Sequence, residues 1–121
     1  MINKEDANIL IVDDIEDNRY TLERRLKRDG YTNIFLAEGG KIALDMATEK
    51  KFDLILLDLM MPDMSGLEVL KHLKGDPLQR SIPVIMVTAS DEVETAAECI
   101  INGADDFITK PFNGTLLKAR V

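Results

Sequence analysis

A run of four apolar residues, Leu54 to Leu57, leads directly into Asp58, and a turn-forming segment from Pro62 to Gly66 follows. An uninterrupted apolar run of this length, closed by turn residues, is typical of a strand buried on both faces in the middle of a parallel sheet. Such a strand would hold Asp58 rigidly at the point where the chain leaves the core. A carboxylate in that position is either a helix cap or a chemically active group, and other parts of the chain distinguish the two.

The same pattern, a short apolar strand followed by a polar side chain, recurs along the chain. We predict strands at 8–12, 33–37, 54–58, 83–88 and 106–109. Helical spacing of apolar residues predicts helices at 17–29, about 43–50, about 67–75, about 91–102 and 113–121, with Gly30 and Gly103 closing the first and the fourth. Strands alternating with helices at this spacing favour right-handed crossovers. The predicted fold is therefore a doubly wound α/β sandwich, a five-stranded parallel sheet with helices on both faces.

The buried faces of the first and fourth predicted helices can be assigned from the spacing of their apolar residues. Leu22 and Leu26 form one stripe on the first helix, among charged residues that would face water. On the fourth helix, where Ser90 or Asp91 would be the N-cap, the expected buried residues are Val93, Ala96, Ala97, Ile100 and Ile101.

Composition narrows the function classes. The chain has 121 residues, enough for one domain, and its net charge of −7 disfavours direct binding to nucleic acid or to an anionic membrane surface. With one cysteine, Cys99, and one histidine, His72, neither an intrachain disulfide nor a Cys/His metal site can be built. No apolar run approaches a membrane span, and the first residues lack the apolar core of a signal peptide. We expect a cytoplasmic protein.

Ligands of open parallel sheets bind beyond the carboxyl ends of the strands, near the point where the strand order reverses. Four of the five predicted strands end in side chains that carry chemistry: Asp13 and Asp14, Asp58, Thr88, and Lys110. The second strand, which ends in Ala37-Glu38-Gly39, offers nothing as clear. Singly, each of these residues has a structural explanation, such as a cap, a strand residue or a solvated charge. Together they predict one site.

Carboxylates a few ångström apart in one site repel one another, by about 4 kcal/mol per pair at an effective dielectric of 20, unless a cation lies among them. Mg²⁺, or Mn²⁺, suits such a set because it takes one or two carboxylates and leaves positions for water and phosphate oxygens. The sequence therefore predicts a phosphoryl site. Lys110 would offset phosphoryl charge, Thr88 would donate a hydrogen bond to a phosphoryl oxygen, and Asp58 is the candidate nucleophile.

Four motifs occur in order along nearly the whole chain: 9–14 with Asp13-Asp14, 58–66 beginning at Asp58, 83–89 with Thr88, and 103–112 with Lys110-Pro111. Together they closely resemble the receiver domain of two-component response regulators. The resemblance implies a flavodoxin-like strand order 2-1-3-4-5, and phosphoryl transfer to Asp58 from a histidine kinase or phosphotransfer protein. It also implies that Asp13, Asp14, Asp58 and the backbone carbonyl of Met60 hold the metal, and that the Lys110-Pro111 bond is cis.

The resemblance further implies a switch, not an enzyme acting on a separate substrate; the domain would catalyse only its own phosphoryl transfer and dephosphorylation. Phosphorylation would draw Thr88 inward and let Phe107 turn into the vacated space. The surface of the fourth helix, fifth strand and fifth helix would then change, and that surface is where a homodimer, partner or output domain would contact this one. Because the fifth helix is short, we expect residues 1–121 to be a receiver excised from a longer regulator, with a cyclase-type domain as one option for the output.

Three other functions remain as alternatives. A haloacid-dehalogenase-type phosphatase needs a second Asp two residues after the nucleophile, where this chain has Met60, and generally needs a cap domain. A flavodoxin-like cofactor binder needs a phosphate loop rich in Ser, Thr and Gly after the first strand, where this chain has Asp13-Asp14. A degenerate receiver would bind partners without being phosphorylated, and the complete set of site residues argues against it.

Overall fold

The computed structural model describes residues 4–89 and 93–110. In these ranges five strands alternate with four helices. The strands are β1 (Asn8–Val12), β2 (Asn33–Ala37), β3 (Leu54–Asp58), β4 (Val84–Ala89) and β5 (Asp106–Lys110). The helices are α1 (Glu16–Arg28), α2 (Gly40–Glu49), α3 (Gly66–Gly75) and α4 (Val93–Ile101). The predicted fifth helix, the N-cap at Ser90 or Asp91 and the Lys110-Pro111 bond lie outside the described residues.

All neighbouring strands pair in parallel, in the order β2-β1-β3-β4-β5. The predicted topology is confirmed. The chain starts in the interior of the sheet at β1, moves outward to β2, and returns past β1 to build β3, β4 and β5. The strand order therefore reverses between β1 and β3, which makes the carboxyl ends of these two strands the expected place for a ligand.

The core has two parts, one on each face of the sheet. On one face, alternate residues of the central strands pack against α2, α3 and α4, through side chains that include Ala43, Val69, Leu70, Leu73 and Cys99. On the other face, the intervening strand residues pack against Leu22 and Leu26 of α1. The predicted buried stripe of α1 is confirmed. Since both faces are covered, the central strands are apolar throughout, which is why they stand out in the sequence.

Gly30 and Gly103 have φ angles of 106° and 112°, and both follow the end of a helix. A left-handed residue after a helix lets its last carbonyls find donors, and glycine adopts this conformation without a Cβ penalty. Both predicted helix ends are confirmed. The start of α2 differs from the prediction: the pair Gly39-Gly40 is typical of a turn and the helix was expected from about residue 43, but it begins at Gly40.

The predicted buried face of α4 is wrong at Ala97, Ile100 and Ile101. Ile101 is 85% exposed and Ile100 is 39% exposed, and Ala97 is also exposed, whereas Cys99 is fully buried. Apolar residues lie around more than one side of this helix, so their spacing does not fix its rotation. Once Cys99 packs against the sheet, Ile101 lies about 200° further round the helix and faces solvent. The side chains of Val93 and Ala96 lie outside the described part of the chain.

Cys99 and His72 both lie on helices, as predicted, in α4 and α3. In the two described ranges, no helix combines the length and the apolar character needed to cross a membrane.

Candidate functional site

The register of the three central strands brings Asp13, Asp58 and Thr88 to one edge of the sheet. Val12 of β1 pairs with Leu57 of β3, so Asp13 and Asp58 each follow a paired position. Asp58 in turn pairs with Val87 of β4, and Thr88 is the next residue. The strand ends that the sequence singled out are therefore neighbours in space.

Asp13, Asp14 and Asp58 form the acid site, in which one carboxylate oxygen from each residue lies within 4.8 Å of the others. Asp13 and Asp58 are 1% and 4% exposed, while Asp14 is the more exposed member. Buried carboxylates at this separation repel strongly, because protein screens charge less than bulk water does. A hard divalent cation relieves that repulsion, and an all-oxygen donor set is the kind that Mg²⁺ and Mn²⁺ prefer. The predicted metal site is consistent with this donor set.

The β1–α1 loop fixes the orientation of Asp13. Its Oδ1 accepts a hydrogen bond of 2.9 Å from the backbone N–H of Ile15, and its own N–H donates to the carbonyl of Ala37 at 3.2 Å. Nη1 of Arg19, one turn into α1, donates to the carbonyl oxygen of Asp13 at 2.7 Å. The N-cap of α1 is Ile15, which makes no side-chain cap bond. The Asp13 carboxylate thus closes the loop with one oxygen atom and does not occupy the N-cap position.

The β3–α3 loop folds back onto the strand that carries Asp58. The N–H of Gly66 donates to the carbonyl of Leu59 at 2.7 Å, which closes the base of the loop. Leu59 and Met61 are buried, and Met60 between them is 62% exposed. Met60 therefore lies at the surface, two residues after the buried Asp58, on a short segment fixed on both sides by buried side chains.

A side-chain N-cap at Ser65 starts α3, and it was not among the features predicted from the sequence. The Ser65 hydroxyl oxygen accepts a hydrogen bond from the N–H of Glu68 at 3.2 Å, and its O–H lies 3.4 Å from Oε1 of Glu68. The signal is nonetheless present in the chain, because Ser followed three residues later by Glu is the standard pattern for such a cap.

Asp63 caps α2 from a distant part of the chain. Its carboxylate accepts hydrogen bonds from the N–H of Lys41 at 3.2 Å and of Gly40 at 3.3 Å. These bonds, with that from Lys41 the largest cause, hold the pKa of the Asp63 carboxyl below its ordinary value. Gly39, the N-cap of α2, has no side chain with which to cap the helix. Sequence reasoning missed Asp63 because the residues that it caps lie 22 and 23 positions earlier in the chain.

Thr88 is fully buried and pairs with Thr109, while Phe107 pairs with Met86. Paired residues of parallel strands point to the same side of a sheet, as do residues two apart on one strand. Thr88 and Phe107 therefore share one face as diagonal neighbours, and Phe107 packs partly buried against the core there. The backbone of Lys110 pairs with Ala89, one position beyond Thr88. The Lys110 side chain lies outside the described part of the structure.

Comparison with known proteins identifies the family to which this fold and this group of carboxylates belong. The family model of the response regulator receiver domain matches residues 9–121. The chain is 45% identical over 115 residues to the response regulator PleD of Caulobacter vibrioides, covering 95% of this chain and 25% of that protein. It is 42% identical to the alkaline phosphatase synthesis transcriptional regulatory protein PhoP of Bacillus subtilis, covering 93% of this chain and 46% of that protein.

Among solved structures, the chemotaxis protein CheY4 of Vibrio cholerae superposes with a TM-score of 0.85 at 34% identity, covering 94% of this chain and 95% of that one. The chain thus spans a quarter to about half of the two curated relatives, but nearly all of this structure. Because the family model matches all but the first eight residues, this chain belongs to the response regulator receiver domain family.

Proposed function

We propose that this domain is a phosphorylation-activated switch that accepts a phosphoryl group on Asp58. The observation that carries the proposal is the place of Asp58: 4% exposed, at the end of the central strand β3, and within 4.8 Å of the carboxylates of Asp13 and Asp14. Capping a turn takes one carboxylate, and two further carboxylates beside it would only add repulsion, whereas a metal and phosphoryl site uses all three. The family supports the same role.

The reaction is the transfer of one phosphoryl group from a phosphohistidine. A carboxylate oxygen of Asp58 forms a bond to phosphorus while the bond from phosphorus to the imidazole nitrogen of the donor breaks, and that nitrogen keeps the electron pair. The product is an acyl phosphate, which water later hydrolyses to return the carboxylate and inorganic phosphate. The domain therefore catalyses only its own modification and its reversal, and acts on no separate substrate.

Asp13, Asp14, Asp58 and the backbone carbonyl of Met60 would hold Mg²⁺ or Mn²⁺, directly or through water. When bound, the metal supplies positive charge that offsets the charge of the phosphoryl oxygens. The chain itself provides the orientation: Arg19 and Ile15 fix the Asp13 segment, and the bond between Gly66 and Leu59 fixes the segment that carries Met60.

Thr88 and Lys110 would contact the phosphoryl oxygens, Thr88 by a hydrogen bond and Lys110 by its charge. The diagonal relation between Thr88 and Phe107 supports a relay in which a shift of Thr88 toward the phosphoryl group opens space for the Phe107 ring. The two Phe107 positions would be the states whose populations phosphorylation shifts. Phe107 has no hydroxyl, so the outward position would be selected by packing and solvation alone.

The donor would be a sensor histidine kinase or a phosphotransfer protein. The domain would be the receiver part of a longer regulator, a proposal supported by relatives of which the chain covers 25% and 46%. An output domain or partner, or a second copy, would be contacted through the surface formed by α4, β5 and the segment after them. This domain itself would not bind nucleic acid or membrane, given its net charge of −7.

The test is intact-mass spectrometry after incubation with acetyl phosphate, with Mg²⁺ or with EDTA. We expect a single phosphoryl adduct that requires Mg²⁺, is absent from Asp58→Asn and is removed by hydroxylamine, as an acyl phosphate should be. Asp53→Asn is the matched control, because Asp53 immediately precedes β3 at its other end, where it bonds to the N–H of Asn8. This control should be labelled like the wild type. Absence of an adduct in all conditions, or an adduct that survives Asp58→Asn, would refute the proposal.

A further inference from the structure

Hydrogen bonds join the connections after β1, β2 and β3, three of those at the carboxyl edge of the sheet, into one chain of contacts. The N–H of Asp13, in the β1–α1 loop, donates to the carbonyl of Ala37 at 3.2 Å, where β2 ends. Three and four residues further on, the N–H groups of Gly40 and Lys41 donate to the carboxylate of Asp63 in the β3–α3 loop. The loop after β2, which carries no candidate ligand, thus connects the loops on either side of the acid site.

The approach of Asp63 to α2 depends on the missing side chain of Gly39, and the packing of α2 against Val69 depends in the same way on Gly40. A Cβ on Gly39 would lie 2.8 Å from Oδ2 of Asp63, closer than a methyl group can come to an oxygen atom. A Cβ on Gly40 would lie 2.6 Å from Cγ2 of Val69. The φ angle of Gly39 is −168°, which is extended backbone open to any residue. Gly39 therefore serves to leave room for the Asp63 carboxylate, not to allow an unusual backbone conformation.

The β3–α3 loop is held at two points, and Met60 lies between them. At its base, the N–H of Gly66 donates to the carbonyl of Leu59. At its tip, Asp63 makes its two bonds to α2. A flexible segment loses conformational freedom when its backbone is required to present a carbonyl at one point. With Asp63 in place, much of that loss has already occurred in the folded protein, before any ligand binds.

We propose that Asp63 is a positioning residue for the metal site, acting through the β3–α3 loop on the backbone carbonyl of Met60. The inference rests on the proposed function, in which that carbonyl is a metal ligand. Asp63 does not touch the metal or the phosphoryl group in this proposal. It fixes the loop that presents the carbonyl, with the start of α2 as its anchor.

The first experiment compares Asp63→Ala with Asp53→Ala in the 121-residue chain. Asp53 is a matched control because its carboxylate also bonds a distant backbone N–H, that of Asn8 at 2.8 Å, but at the opposite end of β3. Mg²⁺ affinity is measured by calorimetry, and stability by urea denaturation in EDTA. Both variants should be less stable than the wild type. Only Asp63→Ala should bind Mg²⁺ more weakly, by about tenfold, as for other residues that orient metal ligands.

The second experiment is a double-mutant cycle with Gly39→Ala. The added methyl group should displace the Asp63 carboxylate and weaken Mg²⁺ binding by a similar factor. In the Asp63→Ala background the same methyl group meets no carboxylate, so Gly39→Ala should then change the Mg²⁺ affinity by less than about twofold. Such non-additivity is the mark of two residues acting through one contact.

Labelling with acetyl phosphate gives a further readout that a loss of stability alone would not move. In Asp63→Ala the Mg²⁺ concentration for half-maximal labelling rate should rise, and the rate at saturating Mg²⁺ should stay within about twofold of the wild type. The inference is overturned if Asp63→Ala binds Mg²⁺ like the wild type, if Asp53→Ala weakens binding equally, or if the two substitutions in the cycle are additive. If the wild type neither binds Mg²⁺ nor becomes labelled, the proposed function fails too, and that outcome is recognisable before any variant is made.

Discussion

The backbone of Asp58 is in direct contact with Gly66, the first residue of α3. A Cβ built on Gly66 would overlap the carbonyl oxygen of Asp58 and would lie 2.9 Å from the Cα of Leu59. Since Gly66 also donates its N–H to Leu59, the start of α3 packs directly against the end of β3. The position of the proposed phosphoacceptor is thus tied to a glycine eight residues later.

Gly66→Ala should destabilise the protein by about 1–3 kcal/mol, because the new methyl group meets backbone atoms that cannot rotate away. This cost outweighs the gain of up to about 1 kcal/mol that alanine gives over glycine in a helix. Gly75→Ala is the matched control at the other end of α3, where an added Cβ has no neighbour within 4 Å. It should be neutral or slightly stabilising. Urea denaturation of the two variants would contradict this prediction if both changed stability in the same direction and by the same amount.

Asp13→Asn should have opposite effects with and without Mg²⁺. In EDTA the variant should be more stable than the wild type, on the order of 1 kcal/mol, because one of three mutually repelling carboxylates is neutralised. The remaining amide oxygen can still accept the bond from Ile15 that the wild type makes. In Mg²⁺ the wild type should gain stability by binding the ion, whereas the variant should gain much less.

Thermal denaturation in EDTA and in millimolar Mg²⁺ measures this crossover. Asp17→Asn is the control: it removes the same charge from the chain, but from the exposed first turn of α1 outside the acid site. It should not raise stability in EDTA. A wild type whose melting temperature does not respond to Mg²⁺ would argue against the metal site itself.

Lys74→Met should cost about 2 kcal/mol of stability without affecting the site. The ammonium of Lys74 donates to the carbonyls of Arg80 and Ile82 at 3.0 and 3.1 Å and so closes the connection between α3 and β4. Hydrogen bonds from a charged donor contribute more than neutral ones, and the two carbonyls would lose their partner. Lys71→Met, at an exposed position of the same helix, should change stability by less than about 0.5 kcal/mol. Chemical denaturation of both variants, with acetyl phosphate labelling as a check on the site, tests the difference.

The hydrogen bonds to Asp63 predict a dependence of stability on acidity. Because the pKa of this carboxyl is lower in the folded protein than the ordinary 3.8, the folded state favours the ionised form. The contribution is therefore fully present above the unfolded pKa and is lost as the pH falls through the folded pKa. Asp63→Asn should reduce stability at pH 7, and its difference from the wild type should shrink steadily below about pH 4. Unfolding free energies from pH 7 to pH 3 measure this, and a constant difference over that range would contradict it.

The sequence was most informative where local pattern and burial agree. The strands β1 and β3 can be recognised in the sequence as apolar runs, because strands covered on both faces contain few polar residues until they end. The acids that follow lie at one edge of the sheet because the strands are parallel, and the strand order implied by the family resemblance makes β1 and β3 neighbours. The grouping of Asp13, Asp14 and Asp58 could therefore be predicted without coordinates. Gly30 and Gly103 marked helix ends for an equally local reason, the left-handed backbone that each adopts.

Where several structural arrangements satisfy the same local pattern, the sequence did not show which of them forms. The rotation of α4 is one such case, since its apolar residues occur on several sides and only packing against the sheet turns Cys99 inward and Ile101 outward. The start of α2 is another: Gly39 and Gly40 are typical of a turn, and the helix begins at Gly40 because a carboxylate from the β3–α3 loop caps it. A cap supplied from 23 residues away leaves no mark in the residues next to the helix.

The sequence by itself therefore determined the parallel α/β fold, its strand order through the family resemblance, and the identity of the acid site. These depend on which residues avoid water and on the direction in which each strand runs. Tertiary structure alone decided how that site is held in place: by Arg19 at the carbonyl of Asp13, by Gly66 beneath Asp58, and by Asp63 at the start of α2. Such contacts join atoms that are distant in the chain, and only the packed structure establishes which of them meet.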